Sequence, residues 1–150
     1  MKKNLIAAIL FLMLPMLSMA QVPISIKSSC ENVTAFDTSL KPDIGILIYS
    51  GDTETVWNAM RLAVLAQSKG DFVVIFVLGK GTDVFMQEQN DDDIYNVQKI
   101  SDTFLRNGGT IYLCATCAWV RNTEDVQSCT ITSIVDLYEI VKRSKIVLTF

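Results

Sequence analysis

Three short apolar runs, "IGILIYS" at 44–50, "FVVIFVL" at 72–78 and "TIYLC" at 110–114, are each followed by a segment with helical spacing. A nearly continuous apolar run of this length suits a strand buried on both faces, which is the environment of a parallel sheet. Strands that alternate with helices imply parallel strands joined by right-handed crossovers, with helices on both sheet faces. The expected fold is an α/β, three-layer α/β/α sandwich around a mainly parallel sheet of about five strands.

The segments between the runs support this reading. After the first run, Asp52 or Thr53 is placed to cap a helix and Glu54 suits its positive end. Trp57, Met60 and Val64 then share a face, and Gly70 is placed to end the helix. Residues 79–93 are the least regular, with a short helix or turn at Val84-Phe85-Met86. Asp91-Asp92-Asp93 reads as a solvated helix start, because three consecutive carboxylates lack the alternating spacing of a calcium loop. A helix from about Ile94 to Arg106 carries Val97, Ile100 and Phe104 on one stripe and stops at Asn107-Gly108-Gly109. A short helix is expected over Cys117 to Arg121, and a fourth strand at "SCTIT" (128–132). Ser133 and Asp136 have capping-box spacing, ahead of an apolar helical face of Ile134, Leu137, Tyr138 and Val141. "KIVLTF" (145–150) supplies the last strand.

The first twenty residues have another character. Lys2 and Lys3 precede an apolar run from Leu5 to Leu14, Pro15 breaks it, and Ser18-Met19-Ala20 places small residues at the positions a signal peptidase reads. The run is shorter than the ~20 residues a span requires. Residues 1–20 are therefore expected to be a cleaved signal peptide, 21–42 a polar N-terminal arm with room for one short strand, and 43–150 the α/β domain. The protein is expected to be periplasmic or secreted, with no membrane anchor after cleavage. Removing Lys2 and Lys3, from 13 basic residues against 16 acidic ones, takes the net charge from −3 to −5. An acidic domain without a basic run is poorly suited to nucleic acid or anionic lipid.

The chain has no histidine, so Ser-His-Asp and Cys-His catalysis and His-ligated zinc or haem are excluded. The chemistry available falls to cysteine. Cys114 and Cys117 stand three apart in "YLCATCAWVRN", between the third strand and a helix. In open α/β sheets ligands gather beyond the carboxyl ends of the strands, which is where Cys114 lies. Amide dipoles in the first turn of a helix favour a thiolate at Cys117, and Arg121, one turn on, adds positive charge. The same residues also fit two small core cysteines.

A Cys₄ zinc site needs two close pairs, and only one is present. A thioredoxin-like dithiol fits the strand–helix placement, but the chain lacks a later proline before a strand; its prolines are at 15, 23 and 42. Gly79-Lys80-Gly81-Thr82 lacks the spacing of a phosphate loop. Cys30 and Cys129 are open to pairing outside the cell, and four cysteines allow three full pairings. No cofactor and no metal is called for.

"ILIYSGDTETVWNAMRLAVLAQSKG", "FLRNGGTIYLCATCAWVR" and "SIVDLYEIVKRSKIVLTF" together resemble the DsrE/DsrF-like (TusD-like) sulfur-relay family over residues 43–150. The resemblance implies a small α/β/α domain that assembles as a homo-oligomer, a trimer or hexamer. It also implies that Cys114 matches the family's persulfide-accepting cysteine, Cys117 a second cysteine found in some members, and Arg121 the arginine of an Arg-Gly pair. Asn122 stands where glycine is usual, a departure that Asn tolerates in left-handed backbone. The well-understood relays are cytoplasmic, so the leader and the acidic charge oppose a tRNA role.

The expected function is binding or relay of persulfide sulfur through Cys114 and Cys117 in an exported domain. Its partners would be small sulfur species or a persulfide-carrying protein. A thiol–disulfide redox protein and a non-catalytic oligomeric ligand-binding domain are the alternatives, and whether the chain is an enzyme stays open.

Overall fold

The computed structural model describes residues 34–123, 126 and 129–150. The expected signal peptide, the arm up to residue 33 and Cys30 lie outside these residues. The elements run β1 (Ile44–Ile48), α1 (Thr53–Ser68), β2 (Val73–Val77), α2 (Gly81–Met86), α3 (Val97–Arg106), β3 (Thr110–Cys114), α4 (Ala115–Trp119), β4 (Thr130–Thr132), α5 (Ile134–Arg143) and β5 (Ile146–Thr149). They form one five-stranded sheet in the order β4-β3-β2-β1-β5, and every pairing is parallel.

The sheet divides the core in two. Ile46, Ile48, Val73, Ile75, Val77, Ile111 and Leu113 point to a face covered by α1, α2 and α3, with Val56, Met60, Phe85 and Phe104 from those helices. The alternate residues, Val74, Phe76, Tyr112 and Cys114, point the other way and meet Phe36 and Ile140. This is the period-2 alternation of strands buried on both faces, as β2 and β3 are, whereas the edge strand β5 is largely exposed.

The helices differ in detail from their sequence patterns. Along α1 the stripe that faces the sheet is Val56, Ala59, Met60, Ala63 and Ala66, while Trp57 and Val64 are half-buried. Trp57 is set between the Tyr95 ring and the Arg61 guanidinium, which lies 4.6 Å from its centroid. Asp52 is the cap, accepting from Thr55 N at 2.8 Å. Gly70 (φ +94°) supplies the left-handed residue just beyond the end. Val84-Phe85-Met86 belongs to a helix. The acidic run does not start α3: Asp91, Asp92 and Asp93 stay in the preceding loop, and Asn96 caps the helix from Lys99 N at 2.8 Å. A carboxamide at the N-cap position satisfies an amide that the distant carboxylates would leave free.

The larger correction concerns α5. Its expected apolar face of Ile134, Tyr138 and Val141 is exposed at 62%, 60% and 40%, whereas Asp136 and Ile140 are buried and Leu137 is half-buried. The reason is Asp136. It forms the expected capping box with Ser133, and it also accepts from Phe36 N (2.9 Å) and Thr132 Oγ1 (2.6 Å). A buried carboxylate with this many donors sets which side of the helix turns inward. The same contacts hold residues 34–36 on the sheet, with Thr34 N donating to Ile131 O and Phe36 packed edge-on to Tyr112. Residues 34–42 contain no strand.

Two predictions follow from this packing. A Cβ at Gly109 would lie 2.4 Å from the Phe104 ring. Gly109→Ala should therefore lower stability in urea melts by about 1–3 kcal/mol, the range for overpacking. Asp136→Ala removes the acceptor for three elements at once and should cost about 2–4 kcal/mol. Burial alone would raise the Asp136 pKa, but hydrogen bonds from Ser133, Thr132 and Phe36 outweigh it and hold the carboxyl below its ordinary 3.8. As pH falls past that value, the unfolded chain takes up this proton before the folded one does. The contribution is present above pH 3.8 and is lost below it, so acid unfolding should begin at higher pH in Asp136→Ala only to the extent of its lower starting stability, with a shallower slope.

Candidate functional site

The parallel register of β2 and β3, with Val77 beside Leu113, brings the carboxyl ends of both strands to one edge of the sheet. Cys114 is the last residue of β3 and the residue before α4. Cys117 is the third residue of α4, so the two cysteines occupy a single tight strand-to-helix turn. Across from them lies the turn that leaves β2, Leu78-Gly79-Lys80. Gly79 has φ +57° there, a left-handed conformation that costs glycine little.

The two thiols are not equivalent. Cys114 is 7% exposed and packs with Tyr112, Phe76 and Phe36. Burial pushes its thiol up; the amides of Cys117 and Thr116 draw it down, and the neighbouring Cys117 thiol adds to the rise. The net direction is upward, as for any thiol whose charged form is poorly solvated. Cys117 is half-buried, packs at the margin of the same cluster and accepts a hydrogen bond from Gly79 N at Sγ, 3.2 Å away. Neither cysteine is in a disulfide.

Arg121 joins the two sides of this edge. Its Nε donates to Asp83 Oδ1 at 2.6 Å and its Nη2 to Asp83 Oδ2 at 3.0 Å. The same guanidinium donates to Gly79 O (Nη2, 3.0 Å) and Cys117 O (Nη1, 3.0 Å). A planar fork satisfies a carboxylate and two carbonyls at fixed angles, which an ammonium would not do. Asp83 is held below its usual value by this hydrogen bond with Arg121. Arg121 thus sits beside the thiols, as its sequence position suggests, but its donors go to Asp83 and to backbone oxygens. Asn122 follows with φ +53°, the left-handed backbone expected there.

Cys114, Cys117 and Arg121 are therefore brought together. Gly79 and Asp83 belong to the same cluster and escape sequence reasoning. The only signal was the Gly79-Lys80-Gly81-Thr82 segment, which fails as a phosphate loop and gives no hint that it faces a cysteine. Cys129 is elsewhere. It packs against the core on the opposite sheet face, and desolvation pushes its thiol up to about 12. A thiol so placed is protonated at physiological pH and inert. No group of three or more potential metal ligands occurs among the described residues. A shallow cleft of about 230 Å³ lies between the start of α1 and the 87–95 loop, lined by Thr53, Gln89, Asp93 and Tyr95, and contains no cysteine.

The arrangement can support thiolate chemistry. It offers one half-buried sulfur with an amide donor, a second, buried sulfur in the same turn, and alongside them a guanidinium already paired with Asp83.

Comparison with known proteins bears on the fold and the family. An uncharacterised protein of Methanocaldococcus jannaschii is 28% identical over 100 residues, covering 65% of this chain and 88% of that protein. One of Methanopyrus kandleri is 25% identical over 100 residues, covering 65% and 83%. Among solved structures, the YchN protein of E. coli superimposes with a TM-score of 0.65 at 22% identity, covering 73% of this chain and 99% of that one. A conserved protein of unknown function from Bacteroides thetaiotaomicron gives 0.57 at 21% identity, covering 72% and 95%. Both structural likenesses speak to the fold, which agrees with the all-parallel sandwich described above. The sequence profile of the DsrE/DsrF-like family matches residues 43–150, from the start of the first strand through the cysteine turn to the last strand, and the chain belongs to that family.

Proposed function

We propose that this protein binds and relays sulfane sulfur through the Cys114–Cys117 pair. The observation that carries the reading is the pair itself: two thiols in one turn at the carboxyl edge of the sheet, one half-buried and one buried, beside Arg121. A thiolate of the pair attacks the outer sulfur of a persulfide R–S–SH, giving Cys–S–SH and releasing R–S⁻. Transfer to an acceptor thiolate R′–S⁻ forms R′–S–SH and restores the cysteine thiolate. Alternatively the second cysteine thiolate attacks the inner sulfur, forming the Cys114–Cys117 disulfide and expelling HS⁻. In that branch the two cysteines are oxidised by two electrons and the sulfane sulfur is reduced to sulfide. A thiol reductant then returns the pair. Thiol exchange chemistry covers each displacement. A dithiol redox role without sulfane sulfur is the second reading, favoured by the placement of both thiols in one strand-to-helix turn.

The setting is part of the proposal. The basic start, apolar run and small residues of 1–20 support export to the periplasm or beyond. The partners would be small sulfur species or a persulfide-carrying protein, and the acidic net charge argues against nucleic acid. Assembly as a homo-oligomer fits the exposed apolar side of α5, where Ile134, Val135 and Tyr138 are each at least 60% exposed.

Sulfide release tests the relay. After incubation with inorganic polysulfide, the wild-type chain should release sulfide as the disulfide closes, whereas Cys114→Ser and Cys117→Ser should each lower that release at least tenfold. Release unchanged in both variants would exclude the pair. A disulfide that forms with mild oxidant while polysulfide sulfur is never taken up would transfer the assignment to the redox reading.

A further inference from the structure

We infer that the Gly79 amide is an anion-stabilising group of this site and that it makes Cys117 the thiol through which sulfur enters and leaves. This rests on the sulfur-binding reading and assigns the order within the pair, which the family resemblance alone would give to Cys114.

A donor persulfide must approach in line with an attacking sulfur, and Cys114 is buried among Tyr112, Phe76 and Phe36 while Cys117 is half-buried at the edge. Next comes the donor. Gly79 N lies 3.2 Å from Cys117 Sγ, on the turn opposite α4. A backbone N–H aimed at a sulfur stabilises that sulfur when it carries negative charge, and charge-assisted hydrogen bonds of this kind are about twice as strong as neutral ones.

Holding the amide there requires support, since Gly79 is in a left-handed turn 38 residues from Cys117 in sequence. Arg121 provides it by donating to both Gly79 O and Cys117 O, and Asp83 fixes the orientation of the guanidinium through two hydrogen bonds. The carbonyl of Gly79 is thereby tied to the arginine and its N–H is turned to the sulfur. Gly79 touches the reacting atom; Arg121 and Asp83 are positioning residues.

The charge at Cys117 Sγ develops at two moments. It is present in the attacking thiolate, Cys117–S⁻ + R–S–SH → Cys117–S–SH + R–S⁻. It returns when an acceptor thiolate takes the outer sulfur and Cys117–S⁻ leaves: Cys117–S–SH + R′–S⁻ → Cys117–S⁻ + R′–S–SH. The amide assists both without any added reductant. Cys114, buried behind it, is placed for the third displacement, the disulfide closure that releases HS⁻.

The test uses the full mature chain and needs no sulfur ligand, so its failure is separable from failure of the relay itself. The Gly79 amide resonance is followed by ¹H–¹⁵N NMR while Cys117 ionises and again after it is alkylated with iodoacetamide. The Gly79 proton is expected to move downfield as the thiolate forms and to lose that response in Cys117→Ser. Cys117 should alkylate faster than Cys114, and Arg121→Gln and Asp83→Asn should slow it by about tenfold, the effect of one charge-assisted hydrogen bond. Arg121→Lys, which keeps the charge but lacks the fork, should not rescue the rate. A Gly79 resonance indifferent to the state of Cys117, or faster alkylation at Cys114, would overturn the assignment even if the variants fail to fold, since both readings are made on the wild-type chain.

Discussion

Val77 of β2 lies beside Leu113 of β3 in a parallel ladder, and everything at the site depends on that register. Parallel strands carry their carboxyl ends to the same edge. The turn after β2 and the turn after β3 therefore meet, although 38 residues separate Gly79 from Cys117. A slip of one residue would exchange the two faces of β3. It would put Cys114 among the helices of the first face and leave Leu113 against Tyr112's present neighbours. The register is specified because both faces of β2 and β3 are dry, so a slipped strand gains no solvated side to turn to.

On this frame the site uses contrast between two like groups. Cys114 and Cys117 share a turn, yet one looks into the core and one looks out. Burial penalises the charged form of Cys114, whereas Cys117 meets an amide. Arg121 does not act as a free charge beside them. Its bonds to Asp83, Gly79 O and Cys117 O make it a brace, and its field is a secondary contribution. Cys129, on the other sheet face, takes no part.

Much of this was legible in the sequence, for identifiable reasons. The three apolar runs are long enough and continuous enough to mark buried strands, and β3 ends at Cys114 as "TIYLC" suggests. Asn122 in left-handed backbone and the Ser133–Asp136 box follow from residue types with narrow conformational uses. What the sequence did not disclose is long-range. Alanines line α1 where Trp57 and Val64 looked the stronger candidates, because small residues let a helix lie close to a sheet. The inward side of α5 is chosen by Asp136, whose partners Phe36 and Thr132 are supplied by the arm and β4. Gly79 and Asp83 enter the site only through the fold, and local pattern has no means of expressing that.

The central claim is that this edge of the sheet carries sulfur. Peptide-mapped mass spectrometry of the reduced protein after exposure to inorganic polysulfide tests it most directly. Added sulfur, or the Cys114–Cys117 disulfide that remains when it leaves, with sulfide released in equal amount, is expected on the peptide that holds Cys114 and Cys117 alone, and a thiol should reverse either. An unmodified mass, or sulfur found on Cys129 with none on that peptide, would contradict it.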